Sequence, residues 1–163
     1  MIDPADTASQ ADNMNIRAVE RADLLDILRI ERASFENPWP YQAFLSALDD
    51  PVFLAATAAE TANIHGYIIA DIMPNHGRDR GHIKDLAVAP SARQKGIGRT
   101  LLWTAIRQLA ATGAVTIKLE VRAENMSAQS LYESVGFEVS RRVPRYYDDG
   151  EDALILILDL ESS

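Results

Sequence analysis

The 163-residue sequence contains no cysteine. This excludes disulfide scaffolds, thiolate zinc sites, iron–sulfur clusters and any cysteine nucleophile. Lysine is scarce, at Lys84, Lys95 and Lys118 only. Acidic side chains outnumber basic ones 24 to 16, a formal charge of −8, so a polyanionic ligand must find a local basic site and direct nucleic-acid binding is not expected. The longest apolar run, Ala153 to Leu158, falls far short of the roughly 20 residues a membrane-spanning helix needs. The acidic start of the chain also lacks the bases of a signal peptide. A soluble, cytoplasmic protein without a membrane partner is expected. His65, His76 and His82 lack metal-ligand spacing, so they read as structural or surface residues and no metal is expected.

The composition is that of an ordinary globular protein, 47% hydrophobic and 25% charged. The length is close to the roughly 150 residues of one domain. Residues 1–14 are small, polar and acidic and read as a loose tail, with Met14 offering a second start, before a single domain over 15–161. Apolar periodicity then predicts a strand over Asn15–Val19, a helix from Leu24 to Phe35 and a second helix through Ala43–Leu48. Pro38 and Pro40 between these helices make an aromatic-rich loop. Strands follow at Val52–Thr57, His65–Ile72 and His82–Val88. A helix opened by Gly96 and Gly98 and ended by Gly113 comes next, then a strand over Val115–Val121 and a helix over Ser127–Val135 closed by Gly136. Two last strands, Phe137–Val143 and Asp152–Leu160, flank a turn at Asp148-Asp149-Gly150. The order implies a mixed α/β fold with a strand–helix–strand unit at its centre.

The most informative stretch is Leu86-Ala87-Val88-Ala89-Pro90 followed by Arg93-Gln94-Lys95-Gly96-Ile97-Gly98-Arg99-Thr100. A strand, a basic turn and a glycine-rich helix start combine into an anion site: free amides point outward, glycines permit close approach, and the dipole favours negative charge. A pyrophosphate fits these requirements. A dinucleotide fingerprint would need a glycine where Leu101 stands, and no Gly-Lys-Ser/Thr phosphate loop occurs.

The Arg93-x-x-Gly96-x-Gly98 arrangement after Leu86-Ala87-Val88 resembles the acetyl-CoA signature of the GNAT acetyltransferases. Leu119-Glu120-Val121-Arg122-Ala123-Glu124-Asn125, Leu131-Tyr132-Glu133, Gly136-Phe137, Arg145-Tyr146-Tyr147 and Gly150-Glu151-Asp152-Ala153 are similar to the RimI-like N-terminal protein acetyltransferases. Glu36-Asn37 is shared instead with archaeal and NatA-type catalytic subunits, in which that glutamate faces the substrate amine. The resemblance covers about Ile16 to Leu160. It implies a GNAT fold, with a mixed, mostly antiparallel sheet of about seven strands flanked by about four helices. It also implies direct transfer from acetyl-CoA to a protein N-terminus, ribosomal proteins being candidate acceptors.

Taken alone, Glu120 alternates with Ile117, Leu119 and Val121 on the polar strand face, where a solvated charge is common. Tyr132 alone reads as core filling beside Leu131 and Val135, and Asn125 as a turn cap. The resemblance implies instead that Glu120 is general base, Tyr132 is general acid to the CoA thiolate, and Asn125 touches the cofactor. It likewise implies that the backbone of Leu86–Val88 donates to the thioester oxygen, and that Arg93 to Thr100 hold the pyrophosphate. Phe35, Glu36, Trp39, Tyr146 and Tyr147 either close a local hydrophobic cluster or select the acceptor. At pH 7 an α-amine is already roughly 10% neutral and a lysine only about 0.04%, so an N-terminal acceptor needs little activation. Two other readings stay open: acetylation of lysine, a polyamine or another small amine, and a non-catalytic CoA sensor.

Overall fold

The computed structural model describes residues 14–161. The expected tail lies outside the described residues except for Met14, which opens the first strand. In chain order the elements are β1 (Met14–Ala18), a 3-10 turn (Arg21–Asp23), α1 (Leu24–Ser34), α2 (Tyr41–Ala47), β2 (Val52–Ala58), β3 (Ile64–Met73) and β4 (Arg80–Val88). A second 3-10 turn (Pro90–Ala92), α3 (Ile97–Ala111), β5 (Thr116–Arg122), α4 (Met126–Val135), β6 (Glu138–Val143) and β7 (Ala153–Asp159) complete them. The seven strands are ordered β1-β2-β3-β4-β5-β7-β6. β4 and β5, joined by α3, pair in parallel, whereas β1–β2, β2–β3, β5–β7 and β7–β6 pair antiparallel. This is the mixed GNAT-type sheet with four α-helices that the sequence implies.

The chain divides into two compact units. One comprises the described residues up to Ala70 together with Asp85–Ala105; the other comprises Asp71–Lys84 and Ile106 onward. In the first, Leu24, Ile27, Leu28 and Ile30 line the buried stripe of α1 and meet Phe44, Phe53, Tyr67 and Ile69. Phe44 stands edge-on to Tyr67, with ring centroids 5.8 Å apart. Each such buried side chain removes about 1.5–3 kcal/mol of apolar surface from water.

In the second unit, Ile117, Leu119 and Val121 bury one face of β5 beside the apolar residues of its neighbours, including Leu156 of β7, which pairs with Leu119. That leaves Lys118 and Glu120 on the opposite face. α4 starts at Asn125, whose side-chain oxygen accepts the Ala128 amide at 3.1 Å. It stops at Gly136, whose φ of 115° is the left-handed cap that suits glycine. The turn between β5 and α4 is tied by the buried Gln129, which donates to the carbonyls of Arg122 (3.1 Å) and Ala123 (2.9 Å).

Candidate active site

In the second unit the parallel register sets His82 of β4 opposite Lys118 of β5. His82 Nε2 thereby lies 2.7 Å from Glu120 Oε2, while Lys118 Nζ is 3.2 Å from Glu120 Oε1. On the other side of the imidazole, Nδ1 is 3.8 Å from Asp71 Oδ1, and Lys84 Nζ is 3.8 Å from Asp71 Oδ2. Asp71 Oδ1 is buried with no hydrogen-bond partner. The result is a row of two carboxylates, one imidazole and two ammoniums on adjacent strands. Partial burial works against the charged form of Glu120, but the His82 and Lys118 hydrogen bonds and charges outweigh it and hold the carboxyl below its ordinary range. Glu120 is therefore a carboxylate at neutral pH, with one oxygen on an imidazole that can pass a proton.

Two of the expected acceptor-side residues share this unit. Tyr146 is 48% exposed and meets Tyr147 edge-on at 5.0 Å. Burial and then the Glu120 charge raise the Tyr146 phenol above its usual value. Tyr147 is pushed up to about 12, by burial first and by the charges of Tyr146, Glu120 and Glu151 against the opposing Arg122. Arg122 stacks over the Tyr147 ring at 4.1 Å and bonds Asp149 and Glu151 at 2.8 Å each. Of the two acids in the Asp148-Asp149 turn, Asp149 is thus paired with Arg122. Tyr132 is buried on α4, edge-on to Phe137 at 5.9 Å. Asn125 is engaged as the cap of α4.

The glycine signature belongs to the first unit. Leu86, Ala87 and Val88 end β4, and after the 3-10 turn Gln94 and Gly96 take φ of 65° and 81°, a reversal that glycine makes at little cost. Lys95 is exposed, and α3 begins at Ile97. Thr100 returns both its amide (3.0 Å) and its hydroxyl (2.9 Å) to the Gly96 carbonyl, closing the first helical turn. The amides at the start of α3 have no partner within the helix and suit an anion. Arg93 is not a free cation: Nε donates to the Val88 carbonyl (3.0 Å) and a terminal nitrogen to Ser34 Oγ (3.1 Å). Gly98 lies one residue into α3 and Arg99 is exposed beside it.

Phe35, Glu36 and Trp39 lie in the α1–α2 loop of the same unit. Phe35 and Trp39 pack on the core, Trp39 at 5.5 Å from Phe44, whereas Glu36 is exposed. The structure also brings out residues that sequence reasoning passed over. His82 carried no signal of its own, because its partner is 38 positions away. Glu31 did carry one: it continues the Leu24, Ile27, Leu28 stripe of α1, an acid where an apolar residue is expected. No group of side chains suited to a metal ion occurs among the described residues, and no helix among them is long and apolar enough to cross a membrane.

Residues 22–137 match the acetyltransferase (GNAT) family. An N-alpha-acetyltransferase of Sulfolobus acidocaldarius is 30% identical, over 91% of this chain and 94% of that protein. The ribosomal protein bS18-alanine N-acetyltransferase of Escherichia coli K12 is 31% identical, over 89% of this chain and 97% of that one. Among solved structures, a chain of the NatC complex bound to Gag peptide and CoA aligns with a TM-score of 0.83 and 26% identity, over 91% of this chain and 99% of that chain.

Proposed function

Since the chain belongs to the GNAT acetyltransferase family, we propose that Glu120 and Tyr132 are the acid–base pair of an N-terminal acetyltransferase whose catalytic domain spans 15–161. The reaction is transfer of the acetyl group of acetyl-CoA to the free α-amine of a protein N-terminus. Acetyl-CoA supplies an activated acyl group. The residues at the start of α3 have the chemistry to take its pyrophosphate: Lys95 and Arg99 as cations, backbone amides as donors, and Gly96 in a left-handed turn without a side chain in the way. Arg93 serves that turn by holding its backbone, and Leu86–Val88 supply the donor to the thioester oxygen.

The amine nitrogen bonds to the acetyl carbon, the carbon–sulfur bond breaks, and the nitrogen's surplus proton passes to Glu120 directly or through a water. Tyr132 gives its proton to the departing thiolate. An α-amine is largely prepared at neutral pH, so the base need only collect a proton whose acidity rises as the amide forms. A carboxylate held charged against an imidazole suits that task. Tyr146 and Tyr147, within reach of the Glu120 charge, are candidates to select the acceptor, and so, in the first unit, are Phe35, Glu36 and Trp39. A ribosomal protein, the substrate in the name of the E. coli relative, is the first acceptor to try, and the cytoplasm is the compartment this reading implies.

The observation that carries this reading is the half-buried Glu120 carboxylate 2.7 Å from His82. The test is a mixed peptide library with mass-spectrometric identification of the acetylated atom. α-Amines should be modified, and peptides blocked at that amine should not. Acetylation confined to lysine side chains or small amines would overturn the acceptor, and tight CoA binding without any transfer would overturn the enzyme.

A further inference from the structure

The first unit buries a second group of acids that the reaction above does not use. Glu31, 1% exposed, accepts the Tyr67 hydroxyl on Oε1 at 2.5 Å and the Trp39 amide on Oε2 at 2.8 Å. Its main-chain carbonyl accepts the Phe35 amide at 3.0 Å. One residue therefore ties both ends of the Phe35–Trp39 loop. The prolines on either side of Trp39 have no N–H, so the Trp39 amide is the sole main-chain donor of the Pro38-Trp39-Pro40 segment, and it is spent on Glu31.

Tyr67 is fully buried in β3, and its oxygen also lies 3.3 Å from Asp85 Oδ2 of β4. A phenol has one proton and cannot donate to two carboxylates. Glu31, at the shorter distance, takes it. Two bare carboxylates around one phenol, away from water, would repel each other, so Asp85 keeps a proton. Burial and the neighbouring Glu31 push Asp85 well above the ordinary carboxyl range, against weaker opposition from Tyr67 and the Leu86 amide. Burial and both acids likewise keep the Tyr67 phenol protonated. Glu31, Tyr67 and Asp85 thus form one hydrogen-bonded group, and the second Glu31 oxygen accepts the Trp39 amide.

We propose that Glu31, held in its hydrogen-bonded group with Tyr67 and Asp85, is a positioning residue for acceptor recognition: it fixes the main chain of the loop that presents Phe35, Glu36 and Trp39 to the incoming peptide. The inference rests on the reading that this loop faces the acceptor. Its signature is a split in the kinetics. In Glu31→Gln, the isosteric amide has one oxygen for two donors, and one charge-assisted bond is lost. The peptide KM should rise roughly ten- to a hundredfold, with kcat and the KM for acetyl-CoA unchanged. Hydrogen exchange at the Trp39 amide should speed up alongside. Asp85→Asn retains a neutral donor and should stay close to the native peptide KM at neutral pH. It should also show a smaller rise in peptide KM than the native protein as pH is raised through the elevated Asp85 titration, where Asp85 loses its proton beside Glu31 and Tyr67.

If Glu31→Gln frees the Trp39 amide yet leaves the peptide KM alone, the inference is wrong. It is equally wrong if native and Asp85→Asn proteins have superimposable peptide KM profiles against pH, a comparison that stands even where Glu31→Gln does not fold. Glu36→Ala separates this from its premise. Should that variant leave the peptide KM untouched, the acceptor assignment of the loop falls and takes the inference with it; should it raise the KM while Glu31→Gln does not, only the inference falls.

Discussion

Glu120 and Asp85 are both carboxyls on central strands, and their surroundings drive them in opposite directions. Desolvation opposes the charge of each. Glu120 has an imidazole and an ammonium at hand and stays ionised below its ordinary range. Asp85 has a phenol and another acid for company and keeps its proton. The contrast shows that burial alone does not decide protonation; the supply of donors does. The same chemical group is held ionised in one unit and protonated in the other.

Removing the ionised group should have the largest effect. Glu120→Gln, and Tyr132→Phe separately, should lower kcat by about 10²–10⁴ with CoA affinity intact by calorimetry. Unchanged turnover in both would refute the assigned pair.

Tyr67→Phe strikes the protonated group. Urea unfolding should register a loss of about 1–3 kcal/mol, the cost of a buried acid without its donor; a loss under about 0.5 kcal/mol would mean the phenol is dispensable. Asp85→Asn sharpens the sign. A carboxyl raised in the folded state contributes stability that is complete below its unfolded value near 4 and is lost as pH rises through the folded one. Relative to the native protein, the variant should therefore gain stability progressively above about pH 4, measured as Tm against pH. A constant offset would contradict the shared-proton account.

Smaller effects test the polar surroundings. Arg122→Lys gives up stacking on Tyr147 and the two-sided grip on Asp149 and Glu151, and should cost about 0.5–1 kcal/mol, detectable in thermal melts. His82→Gln keeps a polar side chain but no charge. The Glu120 titration, followed through its carboxyl carbon by NMR, should move upward. The stability that Glu120 gains from pairing is complete above its ordinary value and is lost as pH falls through the lowered one, so the variant should be less stable than the native protein at neutral pH, with the gap closing as pH falls through that window. A stationary titration would assign the lowered value to Lys118 alone.

The elements were legible because their signals are local. Gly136 stops α4 where a left-handed cap is required, and the Leu101, Leu102, Ala105, Ile106 stripe announces α3, which the structure bounds at Ile97–Ala111. The resemblance pointed to Glu120, Tyr146 and Tyr147, which the structure gathers in one unit. What was illegible depends on register. His82 meets Glu120 only because β4 and β5 pair in parallel with His82 opposite Lys118, and no pattern within either strand states that offset. Arg93 was read for its charge; the structure adds that its guanidinium also donates to Val88 and Ser34, contacts no local pattern announces. Glu31 was hidden by the opposite error, since its place on an apolar stripe was visible but its partners, Tyr67 and Trp39, lie 36 and 8 residues away.

Both ties on the loop between α1 and α2 are made to peptide N–H groups, one at Phe35 and one at Trp39. Such ties are blind to the side chains they carry. Exchanges at the exposed positions 36 and 37 would alter the surface of the loop without loosening the frame beneath it. If this loop selects the acceptor as proposed, that choice can be retuned there while the scaffold that presents it stays the same.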